Sequence, residues 1–463
     1  MAEAIKCISP VDGRVYASRR AASGKDIAAT FAAAHAAQAK WRKVPLKERA
    51  AFCLAAVEAM LAMKDEIVPE LAWQMGRPVR YGAGELRGFE ERARYMIAIA
   101  ERALENIVPE PKDGFLRYIR REPLGVVFTI APWNYPYLTA VNSIIPAIMA
   151  GNAVVLKHAA NTLLVAERFQ KAFDTAKLPK GVFQHLVLTH KQTADIISGG
   201  HANMVCFTGS VAGGRAMEQA AAGRFINLGL ELGGKDPAYV RPDANLAHAI
   251  ENLVDGAYFN SGQSCCGIER IYVHKKVWRD FVDGFVALTK GYVLGSPLEE
   301  ATTLGPLVKA DAADFVRKQI RSALRAGARA HIDPKSFAMD KAGTPYMAPQ
   351  VLTEVNHQMS VMTEESFGPV VGIMKVADDA EAIALMNDSP YGLTAAVWTE
   401  DAAAAQRIGD EIATGTVFMN RCDYLDPALT WTGVKDTGRG ATLSIVGYEA
   451  LTRPKSYHLR TRT

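Results

Sequence analysis

The chain has 463 residues, 49% of them hydrophobic and 22% charged, with a formal net charge of +4. That length holds two or three domains with large cores, and the composition is that of a soluble globular protein. So small a net charge, with no basic run, gives no case for nucleic-acid binding, and residues 1–10 lack the charged leader and long apolar stretch of a signal peptide.

In chain order, Ser23-Gly24-Lys25-Asp26 reads as a capping box, and Ile27, Phe31 and Ala34 mark one face of the helix it opens. Helical patterns follow at 46–63 and 86–106, so the first hundred residues are expected to be largely helical. Residues 115–120 alternate apolar and polar side chains, as an exposed strand does. Short apolar runs come next at 125–131, 153–158, 183–189, 204–208 and 225–230, most of them separated by helix-length segments. Alternating strand and helix predicts a parallel sheet with helices on both faces. The longest apolar region, 138–156, contains Asn142, Pro146, Gly151 and Asn152 and reads as a buried helix followed by a strand, not as a membrane span. A second α/β region covers about 233–415. Its best helix is 311–326, with Phe315, Gln319, Ile320, Ala323 and Leu324 on one face, and its strands include 270–274, 370–376 and 395–398. Residues 456–460 again look like an exposed strand. Two such strands with no sheet of their own predict pairing with a partner subunit.

The six cysteines, Cys7, Cys53, Cys206, Cys265, Cys266 and Cys422, are few and scattered, which fits a reducing cytoplasm and not a disulfide framework. No HExxH and no zinc spacing indicates a protein metal site. Cys265 differs from the others in following the polar turn Asn260-Ser261-Gly262-Gln263-Ser264. A free cysteine is ordinarily a buried, inert residue, but its thiolate is the best nucleophile among common side chains. Cys266 is adjacent, points elsewhere and is read as non-catalytic. Glu231 lies between Leu230 and Leu232 at the end of an apolar run, before Gly233-Gly234. It is either a strand-end acid facing solvent or a buried carboxyl whose raised pKa suits it to act as a base. Asn134, in Ala131-Pro132-Trp133-Asn134-Tyr135-Pro136, follows the run at 125–130. It is either a turn asparagine or an amide donor for a developing oxyanion at the carboxyl end of a strand. Phe207-Thr208-Gly209-Ser210 ends a run and opens a helix, a natural phosphate seat though not a GxGxxG fingerprint. Lys157 closes another run and either reaches a ribose or phosphate or is solvated.

Together these segments resemble the aldehyde dehydrogenase superfamily along nearly the whole chain. The matching pieces are Pro132-Trp133-Asn134, Val155-Leu156-Lys157, Phe207-Thr208-Gly209-Ser210, Glu231-Leu232-Gly233-Gly234-Lys235, Gly262-Gln263-Ser264-Cys265, Glu365-Ser366-Phe367-Gly368-Pro369, Asn387 to Leu393 with its Tyr-Gly-Leu, and Lys435 with Gly438-Arg439-Gly440. The resemblance implies a Rossmann-type cofactor domain (1–110 and 124–232), an α/β catalytic domain (233–435) and a small β oligomerisation flap (111–123 and 448–463), assembled as a homodimer or homotetramer with neither nucleic acid nor membrane as partner. It implies that Cys265 attacks the aldehyde carbon, that the Asn134 amide and the Cys265 backbone N–H hold the oxyanion, and that hydride passes to NAD(P)+. Glu231 then activates the water that releases the acid from the thioester. By the same match Lys157 contacts the adenosine ribose, Gly209 and Ser210 the pyrophosphate and Glu365 the nicotinamide ribose. Phe367 stands beside the nicotinamide ring, and Ile130, Trp133 and Leu232 complete the cofactor site. Relatives that acylate coenzyme A commonly lack the glutamate at the place of Glu231, and a catalytically silent member has no need of Cys265, Glu231, Asn134 and Lys157 together. A cysteine hydrolase without redox chemistry would need a histidine partner, for which no motif is seen.

The departures concern specificity. Many NAD-preferring members carry Pro-x-Glu after the lysine, and here the run is Lys157-His158-Ala159-Ala160. Without that carboxylate to repel a 2′-phosphate, NADP+ is expected to be tolerated or preferred. The usual Pro-Phe-Gly-Gly is Thr430-Trp431-Thr432-Gly433, which places Trp431 in the aldehyde pocket. Asn142 replaces a bulky apolar residue, and Arg421 is expected at the pocket mouth, facing either an acidic substrate tail or solvent. The expected substrate is a small-to-medium aldehyde.

Overall fold

The computed structural model describes residues 3–463. Two parallel sheets, each covered by helices, face each other across a cleft, and two antiparallel ribbons flank them. The first sheet runs, edge to edge, Gly438–Arg439, Asn227–Glu231, Met204–Thr208, Val126–Ile130, Ala153–Lys157, Phe183–His185. All neighbours are parallel except the two-residue edge strand Gly438–Arg439. The central strands Val126–Ile130 and Ala153–Lys157 are buried at every position, as strands covered on both faces must be. The chain leaves Val126–Ile130 toward one edge and returns beside it with Met204–Thr208. The switch in strand order therefore opens a crevice at the carboxyl ends of those two strands.

The second sheet runs Arg329–Ala330, Gln350–Thr353, Val370–Val376, Ile268–His274, Asp236–Val240, Thr394–Trp398, Thr416–Met419, and only Arg329–Ala330 is antiparallel. The helix Ala310–Arg325 lies close to its expected span, but its buried face is Ala313, Val316, Gln319 and Ala323. Phe315 and Leu324, expected inward, are 43% and 41% exposed.

The N-terminal helices form as their sequence signals direct. Ser23 Oγ accepts from the Asp26 N–H and the Asp26 carboxylate from the Ser23 N–H, closing the capping box of the helix Gly24–Trp41. Lys64–Met75 ends at Gly76, whose φ of +83° is the left-handed C-cap. A Cβ there would fall 2.7 Å from the Pro306 carbonyl oxygen, so this chain reversal needs glycine twice over. The long helix Val79–Ala103 follows. The first hundred residues are largely helical as expected, after an opening hairpin, Ala4–Ile8 with Val15–Arg20, that the sequence reading did not include. The two exposed strands also differ from expectation: they pair with each other. Thr452–Arg460 runs antiparallel to Phe115–Pro123 over its whole length, from Thr452 opposite Pro123 to Arg460 opposite Phe115. Tyr118 stacks on Tyr457 at 4.6 Å between ring centroids.

Candidate active site

The nucleophile turn joins the helix Leu246–Tyr258 to the strand Ile268–His274. Asn260, Ser261 and Gly262 have φ of +53°, +58° and +71°, three successive left-handed residues. For Asn and Ser this conformation costs on the order of 1 kcal/mol or more each and needs surrounding structure to hold it. Here the clamp is complete. Asn260 Nδ2 donates to the Asn134 and Gln263 carbonyls at 3.2 and 3.1 Å. Ser261 Oγ donates to the Gly305 carbonyl at 2.8 Å, and Gln263 Oε1 accepts from the Val308 N–H at 2.8 Å. A Cβ at Gly262 would sit 2.3 Å from the Gly368 carbonyl oxygen.

The turn delivers the half-buried Cys265 to the cleft wall. Cys266, buried and also on the cleft wall, where a residue facing elsewhere was expected, donates its thiol to Asp423 Oδ1 at 2.8 Å. The hydrogen bond with the Cys265 thiol, then burial and the Asp423 charge, push the Cys266 thiol well above its ordinary range, so it stays neutral.

Asn134 sits between the strand Val126–Ile130 and the helix Pro136–Met149. Buried, it donates Nδ2 to the carbonyl of Gln263, two residues before the nucleophile, at 3.1 Å. Its own carbonyl accepts from Arg77 Nη2. Arg77 is in turn ion-paired with Glu85, and Glu85 Oε1 accepts from the Tyr137 and Leu138 N–H groups at 2.9 and 3.1 Å. A carboxylate from a distant helix thus caps the helix that follows Asn134. Arg77 and Glu85 are both almost fully buried. Glu85→Ala should therefore destabilise the protein by about 3–5 kcal/mol, since it strands a buried cation. Denaturant melts of the two proteins measure this.

Glu231 ends the strand Asn227–Glu231, in register with Thr208 of the next strand. Its Oε2 accepts from Thr208 Oγ1 at 2.8 Å and its Oε1 from Thr442 Oγ1 at 2.6 Å. Burial raises its pKa above the ordinary carboxylate range, against the two hydroxyls and the charge of Arg92. Of the two sequence readings of Glu231, this is the carboxyl turned into the cleft. The glycines after it allow close packing: a Cβ at Gly233 would meet the Glu365 carboxylate at 2.5 Å, and one at Gly234 the Cys265 carbonyl oxygen at 2.2 Å.

One cleft of about 1230 Å³ holds Cys265, Asn134 and Glu231 together with Ile130, Trp133, Lys157, Gly209, Ser210, Leu232, Glu365 and Phe367. Lys157 ends its strand buried and, among the described residues, without a side-chain partner, and burial pulls its pKa down to about 8. Ser210 caps the helix Val211–Ala221, accepting from the Gly213 N–H at 3.1 Å, so the helix N-terminus opens on the cleft. Glu365 accepts from the Gly234 N–H at 3.0 Å, and burial, then the neighbouring Glu269, push it up to about 7. Phe367, at φ +49°, packs edge-on against Trp133. Glu269 accepts from the Ser366 and Phe367 N–H groups at 2.8 and 2.9 Å and is ion-paired with the buried Lys235. An unpartnered buried ammonium, an open helix N-terminus and an aromatic wall fit a pyridine dinucleotide. Among the described residues no group of three or more His, Cys, Asp or Glu side chains is placed to hold a metal.

On the substrate side, Asn142 and Trp431 line the cleft, both buried. Arg421 does not line it: the residue is exposed, its guanidinium 3.5 Å from the centre of the Tyr424 ring. Its neighbours Asp423 and Tyr424 line the cleft instead. Sequence reasoning gave no role to Arg77, Glu85, Arg92, Thr208 or Thr442. The available signal was charge on an apolar stripe, since Glu85 and Arg92 share the buried face of Val79–Ala103 with Leu86, Phe89 and Met96.

A sequence model of the aldehyde dehydrogenase family matches residues 1–457. The chain is 34% identical over 458 residues to a succinate-semialdehyde dehydrogenase [NADP(+)] of Mycobacterium avium, covering 98% of this chain and 96% of that one. It is likewise 34% identical to an aldehyde dehydrogenase of Paenarthrobacter nicotinovorans, covering 96% and 97%. The crystal structure of succinic semialdehyde dehydrogenase from Streptococcus pyogenes, in complex with NADP+, superposes with a TM-score of 0.93 at 27% identity, over 98% of this chain and 100% of that one. Fold and relatives define the class: an oxidoreductase that oxidises an aldehyde to its acid with a nicotinamide dinucleotide. The chain belongs to the aldehyde dehydrogenase family.

Proposed function

We propose that the chain is a hydrolytic, NADP+-accepting aldehyde dehydrogenase with Cys265 as nucleophile, Asn134 as oxyanion donor and Glu231 as base. The observation that carries this reading is the meeting of these three side chains in one cleft whose other end has the features of a dinucleotide seat. Lys157 would contact the adenosine ribose, Gly209 and Ser210 the pyrophosphate, and Glu365 the nicotinamide ribose, with Ile130, Trp133, Leu232 and Phe367 around them. The dinucleotide, when bound, supplies the hydride acceptor. The Cys265 thiolate adds to the carbonyl carbon, and the charge that develops on oxygen is met by the second N–H of the Asn134 amide, whose first is spent on Gln263, and by the Cys265 backbone N–H. After oxidation the substrate is a thioester on Cys265. Glu231 takes a proton from water, the resulting hydroxide adds to the thioester, and the acid departs with the Cys265 thiolate restored. A base at Glu231 supports hydrolysis over transfer to coenzyme A. Turnover of an aldehyde panel with NADP+ and NAD+, followed at the reduced-nicotinamide band, tests the reading. Product formation that requires coenzyme A would overturn it.

Succinate semialdehyde, the aldehyde for which several relatives are named, heads that panel, with Asn142 and Trp431 against it. Ala160 supports NADP+ use. It stands exposed directly after Ala159, which lines the cleft, and offers a 2′-phosphate no negative charge. Ala160→Glu should weaken NADP+ binding about 10-fold relative to NAD+, a ratio read from KM values. The ribbon Phe115–Pro123 with Thr452–Arg460 leaves its Thr452–Arg460 edge without a neighbouring strand among the described residues and exposes Leu116 and Leu459, which supports a homo-oligomer built through it. Six free thiols support a cytoplasmic setting; no helix among the described residues is long and apolar enough to cross a membrane. Residues 1–110 with 124–232, 233–435, and 111–123 with 448–463 serve as cofactor, catalytic and oligomerisation units.

A further inference from the structure

The long helix Val79–Ala103 presents Glu85, Gly88 and Arg92, spaced three and four apart, to the helix Pro136–Met149. Glu85 caps that helix. At Gly88 the helices come close enough that a Cβ would stand 3.0 Å from Leu138 Cδ2. Arg92, one turn on, passes this contact and enters the cleft beside the substrate-side residues Leu138 and Asn142. It is 6% exposed. Its Nη1 donates to the Leu138 carbonyl at 2.6 Å and to Asn142 Oδ1 at 3.3 Å, which fixes the plane of the guanidinium.

The other edge of the guanidinium is open. Nε and Nη2 have no hydrogen-bond partner among the described residues, yet neither is among the side-chain atoms sealed from the cavity. Among the described residues no carboxylate lies within ion-pair distance of Arg92, whereas the other deeply buried arginine of this region, Arg77, is paired with Glu85. Buried charges are ordinarily paired, and burial lowers the pKa of Arg92 against the more distant charges of Glu85, Cys266, Glu231 and Glu91. Glu231 is occupied by Thr208 and Thr442, and Asp423 by Ser264 and Cys266. An arginine edge formed by Nε and one Nη is the geometry that receives a carboxylate through two parallel hydrogen bonds.

We propose that Arg92 is the specificity-determining residue of the site: its free Nε and Nη2 edge anchors a carboxylate at the far end of the aldehyde while the carbonyl end lies at Cys265. The inference rests on the aldehyde-oxidising reading of the same cleft. It assigns to Arg92, on the helix Val79–Ala103, the role that sequence reasoning looked for at Arg421.

The test compares 4-oxobutanoate with butanal, an aldehyde of equal length without the charge, using the full-length enzyme and NADP+. In Arg92→Met the ratio of kcat/KM for the acidic over the neutral aldehyde should fall roughly 30-fold, the loss of a charge-assisted pair, and should fall through KM. Arg92→Gln, which keeps a donor for the Leu138 carbonyl and drops the charge, should lower the ratio by a similar factor and decides the matter if the methionine variant does not fold. Calorimetric titration of succinate should show the same weakening. A ratio unchanged in a folded variant, or equal losses on both aldehydes, would overturn the assignment. An enzyme that oxidises no aldehyde of the wider panel would instead sink the functional reading, and the succinate titration would still judge the arginine.

Discussion

Cys265→Ser is expected to lower the steady-state rate on the order of 10⁴-fold, about 5.5 kcal/mol in the barrier, while leaving the fold intact. A serine hydroxyl is almost wholly protonated at neutral pH and needs a base in hydrogen-bond contact to become a nucleophile. No carboxylate or imidazole among the described residues is hydrogen-bonded to Cys265: Glu231, the base assigned to water, is held by Thr208 and Thr442, and Asn134 is a donor. The turn itself is held by Asn260, Ser261, Gly262 and Gln263, none of which depends on the Cys265 sulfur. Cys266→Ser is the matched control and should retain most of the activity. Undiminished cofactor reduction in Cys265→Ser, with the thermal midpoint unchanged, would refute the assignment of the nucleophile.

Glu231→Gln should separate the two halves of the reaction. The first, which needs only Cys265 and the oxyanion donors, should survive as a burst of one reduced cofactor per site. Steady-state turnover should then fall about 10²–10⁴-fold, the usual contribution of a positioned base. The pH dependence carries a sign. A base acts in its ionised form, so the hydrolytic rate of the unaltered enzyme rises as pH climbs through the pKa of Glu231. Burial places that rise above the ordinary carboxylate range. Below it Glu231 is protonated and the thioester persists. In Glu231→Gln this limb should vanish. The glutamine amide nitrogen cannot accept a hydrogen bond, so either Thr208 or Thr442 must also turn its hydroxyl. Rapid mixing across pH reads both effects, and a turnover that falls without a burst would show that Glu231 serves the first half instead.

Much of the first sheet was legible because buried parallel strands are short apolar runs between helices. Met204–Thr208 falls on its expected bounds, and Val126–Ile130 and Ala153–Lys157 fall within a residue of theirs. Asp236–Val240 escaped because it begins with Asp-Pro; that buried aspartate is satisfied by the Thr394 N–H at 3.1 Å, a partner 158 positions away. The motifs around Cys265, Glu231 and Asn134 were legible because their chemistry resides in local sequence. The supports were not. Glu85 and Arg92 matter only through the packing of two helices, Arg77 only through its contacts with the distant Asn134 and Asn260, and Thr442 reaches Glu231 from 211 positions away. Arg421 misled because a basic residue near a motif gives no indication of which way it faces.

The left-handed turn before Cys265 is moored on two sides at once. Asn134, in the segment between the first-sheet strand Val126–Ile130 and the helix Pro136–Met149, holds it through Asn260 and Gln263, and the Gly368 backbone, leading into the second sheet, presses on Gly262. The thiol therefore stands at a seam, and the two bodies cannot slide past each other without breaking one mooring or the other. Small disturbances in either sheet should leave the constellation whole until a mooring gives way, and then dismantle it in a single step.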